Sequence, residues 1–410
     1  MSPRFALALF AFGALSLAAQ TSPAAAPAPG AVSLADAFAQ GKISFNARLR
    51  WEEAQQFGLK DSDAYTLRTR FGFTTASFDG FQGMIEGENV ASLGDPDRYN
   101  AAGTNPAGAG RAAIADPTVT DLNQAWLSYA GSAAVVKVGR QRIVLDNARF
   151  VGDVGWRQNM QTFDAADLTL KPIPNLSLFY GYVWRASRVF GNKAPQPDFT
   201  GDAHLLNASY TGWSFGKLTT YAYLLDFDNS AANSSNTFGT SFAGAFPATK
   251  DFKVTYRAEY ATQQEAGHNP VNYRADYWLL ELGGAIKPVD FAAGYEVLGS
   301  DGGRKGFATP LATLHAFNGW ADVFLNTPAK GLRDLYLSGG IALPGGFPLK
   351  VVYHDYRSDI GDVDYGEEWD AQVTHKIGKQ WTLLAKVARY SAAGPFADTD
   401  KFWLQGEFDF

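Results

Sequence analysis

The chain is 410 residues long, carries a net charge of -6, contains 0 Cys and is 14% aromatic. The absence of Cys excludes a disulfide framework and any thiolate metal site, and the acidic charge balance argues against a nucleic-acid partner. The mean hydropathy of -0.16 excludes a bundle of membrane-spanning helices, because such helices need long apolar runs.

The first residues have the pattern of a secretory signal. Arg4 precedes an apolar run over residues 5–17, and small residues follow at its end. This run is shorter than the ~20 residues that a membrane-spanning helix needs. We therefore predict a signal peptide over residues 1–19 and a flexible Ala/Pro-rich segment over residues 20–41.

From residue 42 to residue 410, short segments alternate between apolar and polar residues. Successive side chains of a strand point to opposite faces, so each segment has one apolar face and one polar face. Lipid outside and water inside a closed sheet favour this pattern. We predict an all-β fold, a transmembrane antiparallel β-barrel of about 18 strands in the bacterial outer membrane. The clearest apolar rows are Ile43/Phe45/Ala47/Leu49/Trp51, Tyr65/Leu67/Thr69/Phe71/Phe73, Leu176/Leu178/Tyr180/Tyr182/Trp184 and Phe291/Ala293/Tyr295/Val297, and the weakest strand covers residues 237–248.

The last segment, Asp400–Phe410, has the most informative pattern. One face is apolar and aromatic at both ends, whereas Gln405, Glu407 and Asp409 make the other face polar. This combination is typical of a strand with lipid on one side and water on the other. We interpret it as the closing strand, and expect the barrel-assembly machinery to recognise Phe402, Phe408 and Phe410.

The connectors differ in length. Short connectors at residues 77–80, 171–175 and 378–380 suit the periplasmic side, where barrel turns are tight. Long polar or Gly-rich connectors suit the extracellular side, and the one containing residues 309–324 either folds into the pore or stays outside. The long connectors cover residues 94–120, 189–202, 263–273, 299–325 and 357–367.

Longer motifs add a family resemblance. They are Gly139–Ile143 followed by Leu145–Asn147, Arg149–Asn159 with Thr162–Ala165, Thr309–Asp322, and Tyr353–Asp355 with Glu368–Ala371. Together they resemble the alginate export family of outer-membrane porins, over essentially the whole chain after the signal. The resemblance implies a monomeric barrel whose lumen carries solute, which in the best-known member is an acidic polysaccharide leaving the cell.

Charged residues on the inward faces would line the pore. Arg residues favour anionic solutes, because a guanidinium can give a carboxylate two parallel hydrogen bonds. Arg–Glu pairs that only hold neighbouring strands together are an equal alternative. Arg140 and Arg142 alternate with Val136 and Val138, so a bulge is needed to turn them inward. The predicted solute path contains Arg48, Arg50, Arg68, Arg70, Glu86, Glu88, Arg140, Arg142 and Arg157.

These observations predict a passive outer-membrane channel with no catalytic residue and no cofactor. Other inward candidates, such as Glu52, Asp167, Glu259 and Glu296, make the lumen mixed in charge. A channel for small anionic or zwitterionic solutes is therefore an alternative to polysaccharide export, as is a structural or receptor barrel closed by its own loops. The expected partners are outer-membrane lipid, lipopolysaccharide, the assembly machinery and the anionic solute or polysaccharide.

Two weaker signals concern metal binding and catalysis. Asp359, Asp362 and Asp364 crowd one predicted loop, where a solvated acidic loop is the default and a divalent-ion site the alternative. Gly239–Ala243 misses the nucleophile-elbow pattern of hydrolases at its last position. We therefore predict neither a firm metal site nor an enzyme.

Overall fold

The structure, a computed structural model, describes residues 31–410. The predicted signal peptide, residues 1–19, lies outside the described residues, as does the start of the predicted flexible segment. The described part of that segment contains a short helix, α1 (Leu34–Ala39). The strands are β1 (Lys42–Gln56), β2 (Ser62–Thr74), β3 (Phe81–Ser92), β4 (Val119–Ala130), β5 (Ala134–Gln141), β6 (Thr162–Leu170), β7 (Leu176–Ser187), β8 (Asp198–Trp213), β9 (Gly216–Phe227), β10 (Ser235–Pro247), β11 (Phe252–Glu265), β12 (Arg274–Ile286), β13 (Val289–Leu298), β14 (Leu332–Leu343), β15 (Phe347–Arg357), β16 (Asp364–Ile377), β17 (Trp381–Ala392) and β18 (Thr399–Asp409).

The strands form one closed antiparallel barrel. The sheet has 18 strands, and each pairs with its neighbours in sequence. The first and last strands close it, with pairs running from Asn46 opposite Asp409 to Gln56 opposite Thr399. Closure removes the free edges that an open sheet would present. The predicted fold class and strand number are confirmed, and the segment predicted least clearly forms β10.

Alternation along each strand separates an apolar outer face from a polar inner face. Leu49, Tyr65 and Phe71 are exposed on the outside, whereas Arg50 and Arg68 of the same strands are buried inside. The outer face agrees with a lipid-facing surface, since a lone guanidinium at mid-membrane would cost ~2–4 kcal/mol. Register is therefore fixed by the outer face, which in turn places the inner charges.

The terminal strand follows the same rule. The ring of Phe402 packs against Trp51 at 5.3 Å between centroids, and that of Phe408 against Trp381 at 5.0 Å. The backbone of Phe410 pairs with that of Phe45 at the end of the barrel that holds both termini. Recognition of these aromatic residues by assembly machinery stays a prediction.

The two ends of the barrel have different connections. Tight turns at residues 75–80, 171–175 and 378–380 lie at the end that carries the termini, which is the predicted periplasmic end. Three long loops lie at the opposite end, over residues 93–118, 142–161 and 299–331. The loop at 142–161 was not among the predicted long connectors. No helix among residues 31–410 is long and apolar enough to cross a membrane.

Candidate functional site

Two of the long loops fold into the barrel and pack together. We call residues 142–161 the first inner loop and residues 299–331 the second inner loop. The Gly152 amide donates to the Leu311 carbonyl at 2.9 Å, and the Thr313 amide donates to the Ala148 carbonyl at 3.0 Å. Gln161 Nε2 donates to the same Leu311 oxygen at 2.9 Å. The loops therefore form one inserted unit, so their attachment to the wall decides how open the lumen is.

One attachment is apolar. Phe150 of the first inner loop and Phe307 of the second are buried against Tyr277 of β12, with ring centroids 5.2 Å and 5.6 Å from it. Leu311 is fully buried in the same cluster, and Tyr221 of β9 packs on Phe150 at 5.1 Å. We call these residues the apolar anchorage: Phe150, Phe307 and Leu311 on Tyr221 and Tyr277.

A second attachment is charged. Arg157 NH2 lies 2.6 Å from Asp322 Oδ2, which joins the two inner loops. Arg157 NH1 also donates to both carboxylate oxygens of Glu52 on β1 at 3.0 Å. Lys401 Nζ of β18 donates to Asp322 Oδ2 at 2.9 Å. All of these side chains are largely shielded from solvent, so removal of one charge would leave its partners unpaired in an environment with little water.

A stack of rings and cations completes this attachment. His315 stacks on Trp156 with centroids 4.6 Å apart, and its Nδ1 donates to Asp322 Oδ1 at 2.7 Å. Its Nε2 accepts from Lys386 Nζ at 2.7 Å. The Lys386 ammonium also lies over Trp156 at 4.1 Å and Trp320 at 3.8 Å. We call this set the charged anchorage: Arg157, His315 and Asp322 of the loops with Glu52, Lys386 and Lys401 of the wall.

The two titratable loop residues of the charged anchorage have shifted pKa values. Burial lowers the pKa of His315 well below its usual value. Asp322 opposes this shift, and the charge of the nearby Lys386 adds to it. Burial would raise the pKa of Asp322, but the hydrogen bond from His315 and the charges of Lys401 and Arg157 hold that pKa well below its usual range. A neutral imidazole beside an ionised carboxylate also fits the two hydrogen bonds of His315.

The predicted arginine rows lie on the inner face of β1 and β2, beneath the first inner loop. Arg48 Nε and Arg68 NH2 both approach Glu407 of β18, at 3.1 Å and 2.9 Å. Arg48 NH1 also donates to the Gly155 carbonyl at 3.0 Å. Arg68 is buried, and its Nε and NH1 have no hydrogen-bond partner among residues 31–410. The row therefore carries more positive charge than its strand neighbours neutralise.

Arg50 and Arg70 have separate partners. Arg50 NH1 lies 3.2 Å from Asp116 of the loop at 93–118, and its guanidinium covers the ring of Trp156 at 4.2 Å. Arg70 pairs with Glu88 on β3. Arg70 thus fits the alternative of arginines that hold neighbouring strands together, whereas Arg50 is held by a loop.

The remaining predicted path residues are placed less uniformly. Glu86 accepts hydrogen bonds from Asn123 at 2.6 Å and Gln124 at 3.0 Å on β4. Arg142 follows β5 in the first inner loop, where its Nε donates to Asp153 at 2.8 Å, and about half of its side chain is exposed. Arg157 belongs to the same loop instead of a strand.

Arg140 departs from the prediction that a bulge turns it inward. Arg140 pairs with Ala125, two residues along from the pair of Val138 with Leu127. Val138 and Leu127 are exposed on the outer face, so Arg140 lies in the same outer row. Its guanidinium forms two hydrogen bonds with Asp164 of β6, at 2.7 Å and 3.0 Å. A carboxylate partner in the same row satisfies the charge, so no bulge is required.

Carboxylates of β13, β14 and β16 accept hydrogen bonds from N–H groups of the second inner loop. Asn318 Nδ2 donates to Glu296 at 2.6 Å and to Asp334 at 3.0 Å. The Ala321 amide donates to Glu368 at 2.7 Å. Gly319 between them has a φ of 85°, and a Cβ there would lie 2.3 Å from atoms of Glu368. Only glycine lets the loop lie this close to the acidic wall.

The acidic residues predicted as a weak metal site have separate partners. Asp359 accepts from the Ser300 amide at 3.0 Å, and Asp364 accepts from the Gly366 amide at 2.9 Å. Asp362 pairs with Arg333. Within the described range, no group of His, Asp and Glu side chains is arranged to hold a metal ion.

Sequence comparison identifies the family. A family model described as alginate export matches residues 40–295, more than half of the chain. The chain belongs to the alginate export family. The predicted recognition of an outer-membrane porin of this family is confirmed. No curated protein matches this family member by sequence.

Solved structures share the fold of this alginate export family member. Pseudomonas aeruginosa OpdK with vanillate has 13% identity and a TM-score of 0.72, covering 91% of this chain and 99% of that one. Acinetobacter baumannii OccAB3 has 14% identity and a TM-score of 0.72 over 91% and 99%. Pseudomonas aeruginosa OccD3 has 14% identity and a TM-score of 0.70 over 93% and 92%. At these identities the likeness concerns the porin barrel alone.

Sequence reasoning assigned only Arg157 and Glu52 of the charged anchorage in this alginate export barrel to the lumen. Lys386 and Lys401 occupy inward positions next to predicted lipid-facing rows, so alternation alone could have found them. Asp116, Trp156 and Asp322 lie on loops that have no such period. Their convergence depends on loop conformation, which no local pattern encodes.

Proposed function

We propose that this porin is a narrow passive channel for small anionic solutes, with the two inner loops constricting its path. The observation that carries the proposal is a wall of inward cations in which Arg50 and Lys401 pair with the loop carboxylates Asp116 and Asp322. An anion could replace a loop carboxylate there without leaving a cation unpaired.

The wall formed by β17, β18, β1 and β2 is rich in cations. Its inward cations outnumber the inward carboxylates of the same strands, which are Glu52, Glu407 and Asp409. Rings or rows of Arg and Lys favour anionic solutes in pores. The inward cations are Arg48, Arg50, Arg68, Arg70, Lys386 and Lys401.

Loop carboxylates occupy positions that a solute carboxylate could take. Asp116 lies 3.2 Å from Arg50, and Asp322 lies 2.9 Å from Lys401 and 2.6 Å from Arg157. A guanidinium or ammonium binds a free carboxylate by the same charge-assisted hydrogen bonds. Exchange between loop and solute carboxylates would let a solute advance along the wall.

The packing of the loops favours a small solute over a polysaccharide. Arg50, Arg68 and Arg157 are buried, so a polymer would have to displace both inner loops at once. OpdK, which has the same fold, was crystallised with vanillate, a small aromatic carboxylate. A carboxylate of that size needs only a local opening.

A zwitterionic solute is a second candidate for one specific reason. The cationic wall is matched by carboxylates on β13, β14 and β16, namely Glu296, Asp334, Glu368 and Asp370, all buried. Opposite charges on two parts of the wall would orient a solute that carries both signs. Zwitterions therefore belong in the test.

The test is solute flux into liposomes that contain the purified protein. A small carboxylate, its uncharged amide, an amino acid of similar size and a uronate oligomer are compared. We expect the carboxylate to enter several-fold faster than the amide, and the oligomer to enter slowest. Equal rates for carboxylate and amide would contradict an anion path, and an oligomer as fast as the carboxylate would favour polysaccharide passage. If the amino acid entered faster than the other three solutes, the zwitterion candidate would be favoured.

A further inference from the structure

The N-terminal helix α1 exposes an apolar face at the barrel end that carries both termini. Leu34 and Phe38 are 62% and 57% exposed, and Val32 just before the helix is 88% exposed. Ala35 and Ala39, which complete the same face, are exposed too. A helix facing water normally presents charged or polar residues there. The exposed face of α1 therefore suits an apolar partner.

The polar groups of α1 are turned away from that face. Ser33 Oγ accepts from the Asp36 amide at 3.1 Å and donates to the Asp36 carboxylate at 2.7 Å. Both residues are partly buried, and Ala37 beside them is buried. The helix thus exposes its apolar side chains, whereas its polar side chains bind each other at its N-terminus. A solvated surface helix has the opposite arrangement.

Hydrogen bonds fix α1 against the turn between β2 and β3. The Ala31 amide donates to the Ser77 carbonyl at 2.9 Å, and the Ala76 amide donates to the Ala37 carbonyl at 2.9 Å. These backbone bonds hold the helix on both sides. Its exposed face therefore has a defined position on the barrel.

That position continues the lipid-facing surface. The ring of Phe38 stacks on Phe73 of β2 with centroids 6.2 Å apart and an interplanar angle of 9°. Phe73 is opposite Ile43 in the outer row, and Ile43 is 56% exposed. The rings of Phe81 and Tyr129 pack together with centroids 4.9 Å apart at the same end of neighbouring strands, as in an interfacial aromatic girdle.

We propose that α1 is an interfacial anchor whose Leu34–Phe38 face lies in the lipid leaflet at this end of the barrel. The occupant is lipid because the face is continuous with the aromatic girdle and is fixed in place by backbone bonds. Short apolar helix faces bind at the boundary between headgroups and acyl chains. This anchor does not depend on which solute the channel carries.

The experiment uses the absence of Cys in the chain. Single variants Leu34→Cys and Phe38→Cys carry a nitroxide spin label in the full-length protein, reconstituted in phospholipid bilayers. Collision rates with oxygen, which enriches in lipid, and with a water-soluble nickel chelate are compared by electron paramagnetic resonance. Phe71→Cys serves as the lipid control and Lys379→Cys, in the turn between β16 and β17, as the water control.

We expect both α1 labels to show an oxygen-to-nickel collision ratio several-fold above that at position 379 and close to that at position 71. A ratio equal to the water control would overturn the proposal, because the face would then be solvated. Protection from both reagents would also overturn it, since protein, such as the residues before Ala31 or a second copy, would then cover the face. Heat-modifiable migration of each labelled variant verifies the closed barrel.

Discussion

The apolar anchorage and the charged anchorage hold the two inner loops to the barrel by different kinds of interaction. The apolar anchorage buries Phe307 and Leu311 without any charge, so its strength follows the apolar area removed from water. The charged anchorage buries Arg157, His315 and Asp322, so its strength depends on every charge keeping its partner. One anchorage is therefore insensitive to pH, whereas the other is sensitive. We therefore expect acid to weaken the charged anchorage before the apolar anchorage.

The largest effect is expected at the centre of the charged anchorage. The variant Asp322→Ala leaves Arg157 and Lys401 without their shared carboxylate, which should destabilise the protein by ~3–5 kcal/mol. The free energy of unfolding in denaturant and the protease sensitivity of residues 299–331 measure it. Asp362→Ala removes the partner of Arg333 at an exposed site and should cost about 0–1 kcal/mol. Equal losses in the two variants would contradict a buried, cooperative anchorage.

A comparable but pH-independent effect is expected in the apolar anchorage. Leu311→Ala removes a fully buried side chain and leaves a cavity, at a cost of about 2–5 kcal/mol. Because no charge is involved, the loss measured at pH 5 and at pH 8 should be the same. A loss that changes with pH would show that the two anchorages are coupled and would break the distinction between them.

Acid should weaken the charged anchorage through His315. Its pKa is lowered in the folded protein, so the unfolded chain binds more protons as the pH falls below about 6.5. The contribution of His315 is thus fully present above that value and declines by about 1.4 kcal/mol per pH unit below it, until the folded pKa is reached. Asp322, whose pKa is also lowered, loses its contribution only below about pH 4.

The measurement is stability against pH for the wild type and for His315→Asn. Asparagine has no proton to gain, so the variant should be less stable at pH 8 and show a flatter profile between pH 6.5 and 5. Parallel profiles for the two proteins would exclude His315 as the acid-sensitive group.

The outer face of the barrel was predictable from sequence, whereas the inner site was predictable only in part. Leu49 and Tyr65 alternate with Arg50 and Arg68 at the period of a strand, and a one-residue slip would put the arginines in lipid. Local pattern and membrane therefore specify the same register. Asp116 and Asp322 come from loops, where contacts far apart in sequence decide the conformation. The prediction for Arg140 departs from the structure because Asp164, across the strand pair, satisfies its charge in the outer row.

The ion selectivity of the pore tests the central claim, an anion path along a wall of cations. The double variant Arg68→Gln/Arg70→Gln removes two inward charges, and Arg389→Gln removes an outward charge on a side chain that is 75% exposed. Reversal potentials in planar bilayers under a salt gradient report the selectivity, most clearly at low salt where screening is weak. We expect the double variant to shift toward cations and Arg389→Gln to match the wild type. An unchanged reversal potential in the double variant would contradict the anion path and leave the arginine rows as a scaffold.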